Sequence, residues 1–293
     1  MFKSDVPAAR LTDTGLYHAT QENLFALFRV MAHTLAGSEL VETPTLSYHH
    51  CFPTNPMFKG VWRTRLLAGD ADEAIEQTLA WFRERGAPYV FWWTGPGSTP
   101  DDLPERLQAR GLLDMAGQMQ ELAAGIRQTE QGAPCMVADL FEVNEALVER
   151  APPGFLIREV SDAAMLEDFK QVFVETYEIP DWAGQAWVDA ALHIGIGATP
   201  WRMFVGYLDD DPVATALLFN GAGVASVYAV ATLPRAQGRG IGAAITLSPL
   251  LDAREAGYRY AVLFSTEMGV SVYRRIGFRM LEARLNRYLW QNR

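Results

Sequence analysis

Cysteine is nearly absent: Cys51 and Cys135 are the only two in 293 residues, far apart and without metal-ligand spacing. That excludes a disulfide scaffold and a cysteine-rich zinc site, and it fits a reduced compartment. No apolar run approaches the ~18 residues that a membrane-spanning helix needs. Met1 to Asp13 lacks the apolar core of a secretory signal, so a cytoplasmic location is expected. Positive charge is also short. The formal net charge is −10, so no nucleic-acid-binding surface and no membrane partner are expected. What remains is an ordinary globular composition, 49% apolar and 20% charged, over a length that suggests two domains.

The scarce positive charge is unevenly placed. Residues 1–150 and 151–234 each carry a net −8, whereas 235–293 carry +6, and every cation in that last segment is an arginine. Such a segment suits a polyanionic small ligand, or it forms the solvated face of a helix and hairpin. Within it, residues 235–243 read Arg-Ala-Gln-Gly-Arg-Gly-Ile-Gly-Ala. The alternating glycines Gly238, Gly240 and Gly242 follow a strand-like run, Val224 to Ala231, and open a helix-like run to about Ala256. The first N–H groups of a helix lack internal partners and carry partial positive charge, so this junction is a seat for phosphate.

Around it the pattern predicts a mixed α/β order, β-α-α-β-β-β-α-β-α-β, starting after the break at Ala151-Pro152-Pro153-Gly154. A strand over 155–160 is followed by a helix over 163–178, started by Ser161 and Asp162, and a second over 182–195. Strands at 202–208 and 213–219 flank the hairpin signal Asp209-Asp210-Asp211-Pro212. After the glycine helix come a strand at 258–264, a short helix at 269–276 ended by Gly277, and a last strand at 278–290. The N-terminal half repeats part of this order: a helix at 73–85 ended by Gly86, a strand at 89–93, and a helix at 103–110 ended by Gly111. We read an internal duplication whose first copy has no alternating glycines and carries Leu107 where the second has Tyr273.

Three phosphate-binding readings meet at the glycines. A Walker loop requires Lys-Ser/Thr after its last glycine, but Gly242 is followed by Ala243-Ala244. A dinucleotide fingerprint is met literally by Gly238, Gly240 and Ala243, yet that motif belongs at a tight turn directly after its strand, and Thr232 to Gln237 intervene. The third reading matches best. Gln237-x-x-Gly240-x-Gly242 resembles the pyrophosphate loop of the GCN5-related N-acetyltransferase (GNAT) superfamily, and Val272-Tyr273-Arg274-Arg275-Ile276-Gly277-Phe278 is similar to its Leu-Tyr-x-x-x-Gly-Phe segment.

The resemblance covers about residues 155–290. It implies two tandem GNAT-like domains, a degenerate one over 1–150 and a catalytic one over 151–293. It implies acetyl-CoA as acyl donor and an N-acetyltransferase acting on a small-molecule amine by direct attack in a ternary complex, with at most a second copy of the chain as a protein partner. Carried over residue by residue, it assigns the pyrophosphate to Gln237, Gly238, Arg239, Gly240, Ile241, Gly242 and Ala243. It assigns the pantetheine arm and the acetyl carbonyl to backbone groups of Val230, Ala231 and Thr232, and the general acid to Tyr273. Two departures leave the general base open. The strand 224–231 has no carboxylate, only Ser226 and Tyr228, and an asparagine often found after the next strand is replaced by Ser265-Thr266-Glu267. Glu267 and His193 are the remaining candidates. The missing carboxylate also motivates a rival reading, a non-catalytic acyl-CoA-binding module. Trp62, Trp81, Trp92 and Trp93 read as core, and His49-His50 as opposite faces of one strand rather than a chelating pair.

Overall fold

The computed structural model describes residues 6–8, 10–35, 37–51, 59–115 and 132–292. Part of the Met1–Asp13 stretch lies outside them. The chain forms two compact units, each built on its own sheet. One comprises residues 28–119, 128–133 and 283–293, and the other 1–27, 120–127 and 134–282. The expected border at 150/151 is not where they divide, because each sheet takes a strand from outside its own stretch of sequence. β6 (Ala133–Asp139) pairs antiparallel with β11 (Tyr260–Phe264), Phe264 opposite Cys135. β12 (Arg279–Gln291), the last strand, pairs antiparallel with β4 (Tyr89–Thr94), Arg287 opposite Trp93. Long-range pairing of this kind leaves no local mark in a sequence.

In the N-terminal unit the sheet runs β1 (Glu39–Glu42), β2 (Leu46–His50), β3 (Gly60–Thr64), β4, β12, with β5 (Leu113–Asp114) also pairing β12. α2 (Ala71–Glu84) and α3 (Leu103–Ala109) cover one face through Ile75, Leu79, Phe82, Leu103 and Leu107, all buried against Val61, Val90, Trp92 and Trp290. α1 (Asp13–Thr34) was not drawn from the sequence, nor were β1, β2, β3 and β6.

In the C-terminal unit the order is β7 (Phe155–Glu159), β8 (Trp201–Leu208), β9 (Asp211–Gly221), β10 (Val224–Thr232), β11, β6. The expected elements are present within a few residues. α5 (Ala163–Tyr177) starts where Asp162 Oδ1 accepts the Met165 N–H at 2.9 Å. The β8–β9 hairpin turns through Asp209 and Asp210, both at positive φ, as a tight right-twisted hairpin needs. α6 (Asp181–Ile194) follows α5. α7 (Ile241–Glu255) buries Ile241, Ala244, Ile245, Leu247 and Leu250 in a core with Ala225 and Val227 of β10. α4 (Ala146–Glu149) adds Leu147 to that core and α8 (Glu267–Ile276) adds Ile276.

On the opposite face, Asn23 of α1 donates to the Gly221 carbonyl at 2.9 Å and accepts the Tyr228 hydroxyl at 2.7 Å. That spends one of the three polar side chains of β10 on holding the sheet. Arginines of the last segment serve the fold too. Arg235 pairs with Asp211 and Glu175, Arg254 with Glu145, Arg259 with Asp139, and Arg279 with Asp13. Four of the ten arginines that pointed to a polyanionic ligand are therefore matched by carboxylates of the protein.

Candidate active site

β10 is the element that shapes the site. Against β9 its register slips between Tyr228 and Ala231, so two residues, Ala229 and Val230, stand where the partner has one. Ala229 adopts a left-handed φ of 47°, unusual for a residue with a Cβ. The extra residue inverts the pleat. Ala225 and Val227 face the α7 core, whereas Ala231, of the same parity, packs with Leu233, Val172 and Tyr177. Both carbonyls of the bulge accept hydroxyls. Thr215 donates to the Ala229 oxygen at 2.8 Å, and Tyr177, the last residue of α5, donates to the Val230 oxygen at 2.7 Å. On its other edge β10 pairs in parallel with β11 only at Ala225–Ala261 and Ser226–Val262. Its remaining length has left its neighbour before the bulge begins.

Beyond β10 a one-turn 3-10 segment, Pro234–Ala236, leads to the glycines. Gln237 turns its side chain back, its Nε2 donating to the Thr232 carbonyl at 2.9 Å. That ties the loop to the strand, so this side chain is a brace rather than a projecting contact. Gly238 and Gly240 have φ of 74° and 84°, which side chains resist. A Cβ on Gly240 would also stand 3.0 Å from the Arg150 carbonyl. Gly242 differs: its φ is ordinary, and a Cβ would meet only Thr232 Oγ1, at 3.5 Å. The protein itself does not require glycine there, whereas a ligand approaching the helix start from outside does.

Gly240 is the N-cap of α7 and offers no side-chain acceptor. The Ala243 and Ala244 N–H groups return to the Gly240 carbonyl at 3.1 Å. Ala243 is thus satisfied within the helix, and the amides left facing outward at the helix start are those of Ile241 and Gly242. The α7 first turn holds no carboxylate, so nothing cancels its positive end. Arg239 is exposed beside it. These features fit the pyrophosphate of acetyl-CoA.

Tyr273 lies on α8, which Thr266 caps by accepting the Gly269 N–H. A Cβ on Gly269 would come within 2.7 Å of Tyr273 Cε2, so this glycine makes the space over which the phenol ring lies. Phe278 closes the other side, with ring centres 5.7 Å apart, and its N–H bonds to the Tyr273 carbonyl at 2.9 Å. Gly277, at φ 123°, ends the helix as expected. Burial pushes the Tyr273 phenol well above its ordinary range, and the Tyr177 phenol pushes it the same way. Burial also raises Tyr177, to about 12. Both are protonated donors at neutral pH. Tyr177 was missed in the sequence, since its bond to Val230 joins residues 53 apart. His193, in the last turn of α6, and Glu267, at the start of α8, are both exposed.

A mixed sheet with a bulged strand diverging from its parallel neighbour, followed by a glycine loop opening a helix, is the arrangement that the resemblance of the glycine loop implied. Residues 145–269 match the family model of the acetyltransferase (GNAT) domain. That stretch carries a GNAT domain, and the match spans less than half of the chain. A GCN5-related N-acetyltransferase from Kribbella flavida superposes with a TM-score of 0.68 at 17% identity, covering 94% of this chain and 96% of that one. A tandem GNAT protein from the clavulanic acid biosynthesis pathway gives 0.58 at 12% identity, covering 98% and 97%. Both likenesses concern the fold. Among curated proteins, a mycothiol acetyltransferase of Saccharomonospora viridis is 37% identical over 67 residues, 22% of each chain. The match thus spans about a fifth of that relative's length. Among the described residues, no helix is long and apolar enough to cross a membrane.

Proposed function

We propose that the chain is an acetyl-CoA-dependent N-acetyltransferase that moves an acetyl group onto an amine of a small acceptor, in the cytoplasm, by direct attack in a ternary complex. The observation that carries this reading is Gly242: a glycine with no steric or conformational reason inside the protein, at an uncapped helix start. Amides from Gly238 to Gly242 would hold the pyrophosphate, and the backbone of Val230 to Thr232 the pantetheine arm. When bound, acetyl-CoA supplies the activated acyl group. Tyr273, kept protonated by burial, donates a proton to the departing sulfur. Covalent relay through cysteine is disfavoured, since burial raises Cys51 and Cys135 to about 11.

Thermal unfolding with acetyl-CoA at ~100 times its dissociation constant should gain about 2.7 kcal/mol of stability. Free CoA released across a panel of small amines then identifies the acceptor. A shift with NAD(P) and none with acetyl-CoA defeats the proposal. Binding of acetyl-CoA with no CoA release for any amine would favour the non-catalytic acyl-CoA-binding reading, which the carboxylate-free β10 motivates.

A further inference from the structure

The N-terminal sheet has two unlike faces. Strand alternation sends Leu46, Val61, Val90, Trp92, Tyr288 and Trp290 to the helix-covered side. There the Trp92 indole N–H is satisfied, donating to Thr64 Oγ1 at 2.9 Å. The other side receives Ser47, His49, Trp62, Phe91, Trp93 and Arg287, roofed by Phe28, which lies 5.9 Å from Trp62 and 5.5 Å from Trp93 between ring centres. This side is as buried as a core: Ser47 is 0% exposed, His49 and Trp62 1%, and Arg287 8%. Yet Ser47 Oγ, both His49 nitrogens, Trp62 Nε1 and the Arg287 Nε and Nη2 atoms have no hydrogen-bond partner among the described residues.

So many orphaned donors on one buried face are costly, and the guanidinium most of all. Its plane is flanked by the rings of Trp93 at 4.8 Å and Phe91 at 5.6 Å, which leave its N–H edge unbonded. Burial lowers Arg287 to about 10, still a cation at neutral pH. Burial, with His50 and Lys59 pushing the same way, lowers His49 to about 3, so the imidazole is neutral. The face therefore offers two buried cations, Arg287 and Lys59, the latter over the Tyr89 ring, with an aromatic floor and the neutral His49, whose ring lies 4.7 Å from that of Trp62. From β2 to β12 these span three strand spacings, about 14 Å.

We propose that this face binds an amphipathic carboxylic acid. Its carboxylate takes the Arg287 fork, its apolar body takes the place that the Phe28 ring holds over Trp93 and Trp62, and a polar group at its far end reaches His49 and Ser47. The site is separate from the glycine loop and does not depend on the acyltransferase reading.

The test is calorimetry on the full chain with decanoate, which supplies the head and the body, and with inorganic phosphate, which supplies an oxyanion head alone. Decanoate should bind at one site per chain, at least tenfold more tightly than phosphate. Arg287→Met should lose at least tenfold while its circular dichroism stays native, and Arg287→Lys, which keeps the charge without the fork, should fall between. Gly242→Asp, in the other unit, should bind decanoate as the native protein does. No binding to the native protein overturns the proposal, and that reading stands even if the Met variant does not fold. So does equal binding by all Arg287 forms, phosphate binding as tightly as decanoate, or loss of decanoate in Gly242→Asp, which would place it in the acyl-donor site.

Discussion

β3 and β10 occupy the same place in their sheets and were built to one plan. Each is bulged against its antiparallel neighbour, and each has only two pairs with its parallel neighbour, Gly60–Phe91 and Val61–Trp92 for β3. The two strands part ways beyond those pairs. Past its last pair β3 is met by the chain itself: Thr99 donates its N–H to the Thr64 carbonyl at 3.0 Å, accepts the Leu66 N–H at 3.1 Å, and donates its hydroxyl to the Leu66 carbonyl at 3.0 Å. The strand edge that would hold a pantetheine arm is used up by backbone. The next helix, α2, has Asp72 and Glu73 in its first turn, where α7 has Gly242. A helix start carrying two carboxylates repels phosphate as surely as a bare one attracts it. The N-terminal unit thus differs at the corresponding place in two physical ways, a filled edge and a charge-reversed helix start.

The largest test of that comparison moves the N-terminal chemistry into the C-terminal unit. Gly242→Asp adds a carboxylate at a position with room for a Cβ and an ordinary φ. Like-charge repulsion there is worth several kcal/mol, so acetyl-CoA affinity should fall ~10³-fold while the melting temperature stays near native. Calorimetric titration beside a melting curve measures both. Retained affinity would remove the glycine loop from the site.

Next in size is Tyr273→Phe, which makes the C-terminal copy apolar at the position read as Leu107 in the first. Turnover should drop ~10²-fold with acetyl-CoA affinity barely changed. Because burial raises this phenol, the native rate should show no loss of the acid as pH rises to ~9, short of even the ordinary phenol value. An unchanged rate for the Phe variant sinks the assignment.

Much of this site was legible because its signals are local. Positive φ at Gly238 and Gly240, the cap at Asp162 and the Asp209-Asp210 turn are each set by a few neighbouring residues. Tyr273 was legible through its spacing from Gly277 and Phe278. The unread parts are non-local. Nothing near Ala229 announces a bulge in a run of small apolar residues, and nothing in β6 or β12 says that each completes the other unit's sheet. Tyr177 looked like the end of an amphipathic helix. Trp62, Trp92 and Trp93, read as core, are all buried in it, on the two faces of one sheet. Trp92 has its indole N–H bonded, whereas Trp62 lies on the face rich in unbonded donors.

That second face gives a pH signature confined to the N-terminal unit. His49 must stay neutral when folded but protonates near 6.5 when unfolded, so below 6.5 the unfolded state takes up a proton that the folded state refuses. Stability is lost as pH falls from 6.5 toward 3, by about 2 kcal/mol between pH 6.5 and 5 at ~1.36 kcal/mol per pH unit. His49→Gln should flatten that part of the denaturant-derived stability curve relative to the native chain. Parallel curves would mean that His49 reaches solvent.

The smallest effect separates the two ways of filling a strand edge. In the N-terminal copy the filler is backbone, so Thr99→Ala removes only the hydroxyl bond and should cost about 1 kcal/mol without creating an acetyl-CoA site. In the C-terminal copy the filler at the Val230 carbonyl is one phenol, which an incoming ligand can displace. Tyr177→Phe should also cost about 1 kcal/mol of stability. Acetyl-CoA affinity should hold or tighten up to ~fivefold, since no bond need be broken at that carbonyl. A tenfold loss of affinity would instead make Tyr177 a brace that holds the bulge in shape for the donor, and the difference between the copies would then rest on the helix-start charge alone.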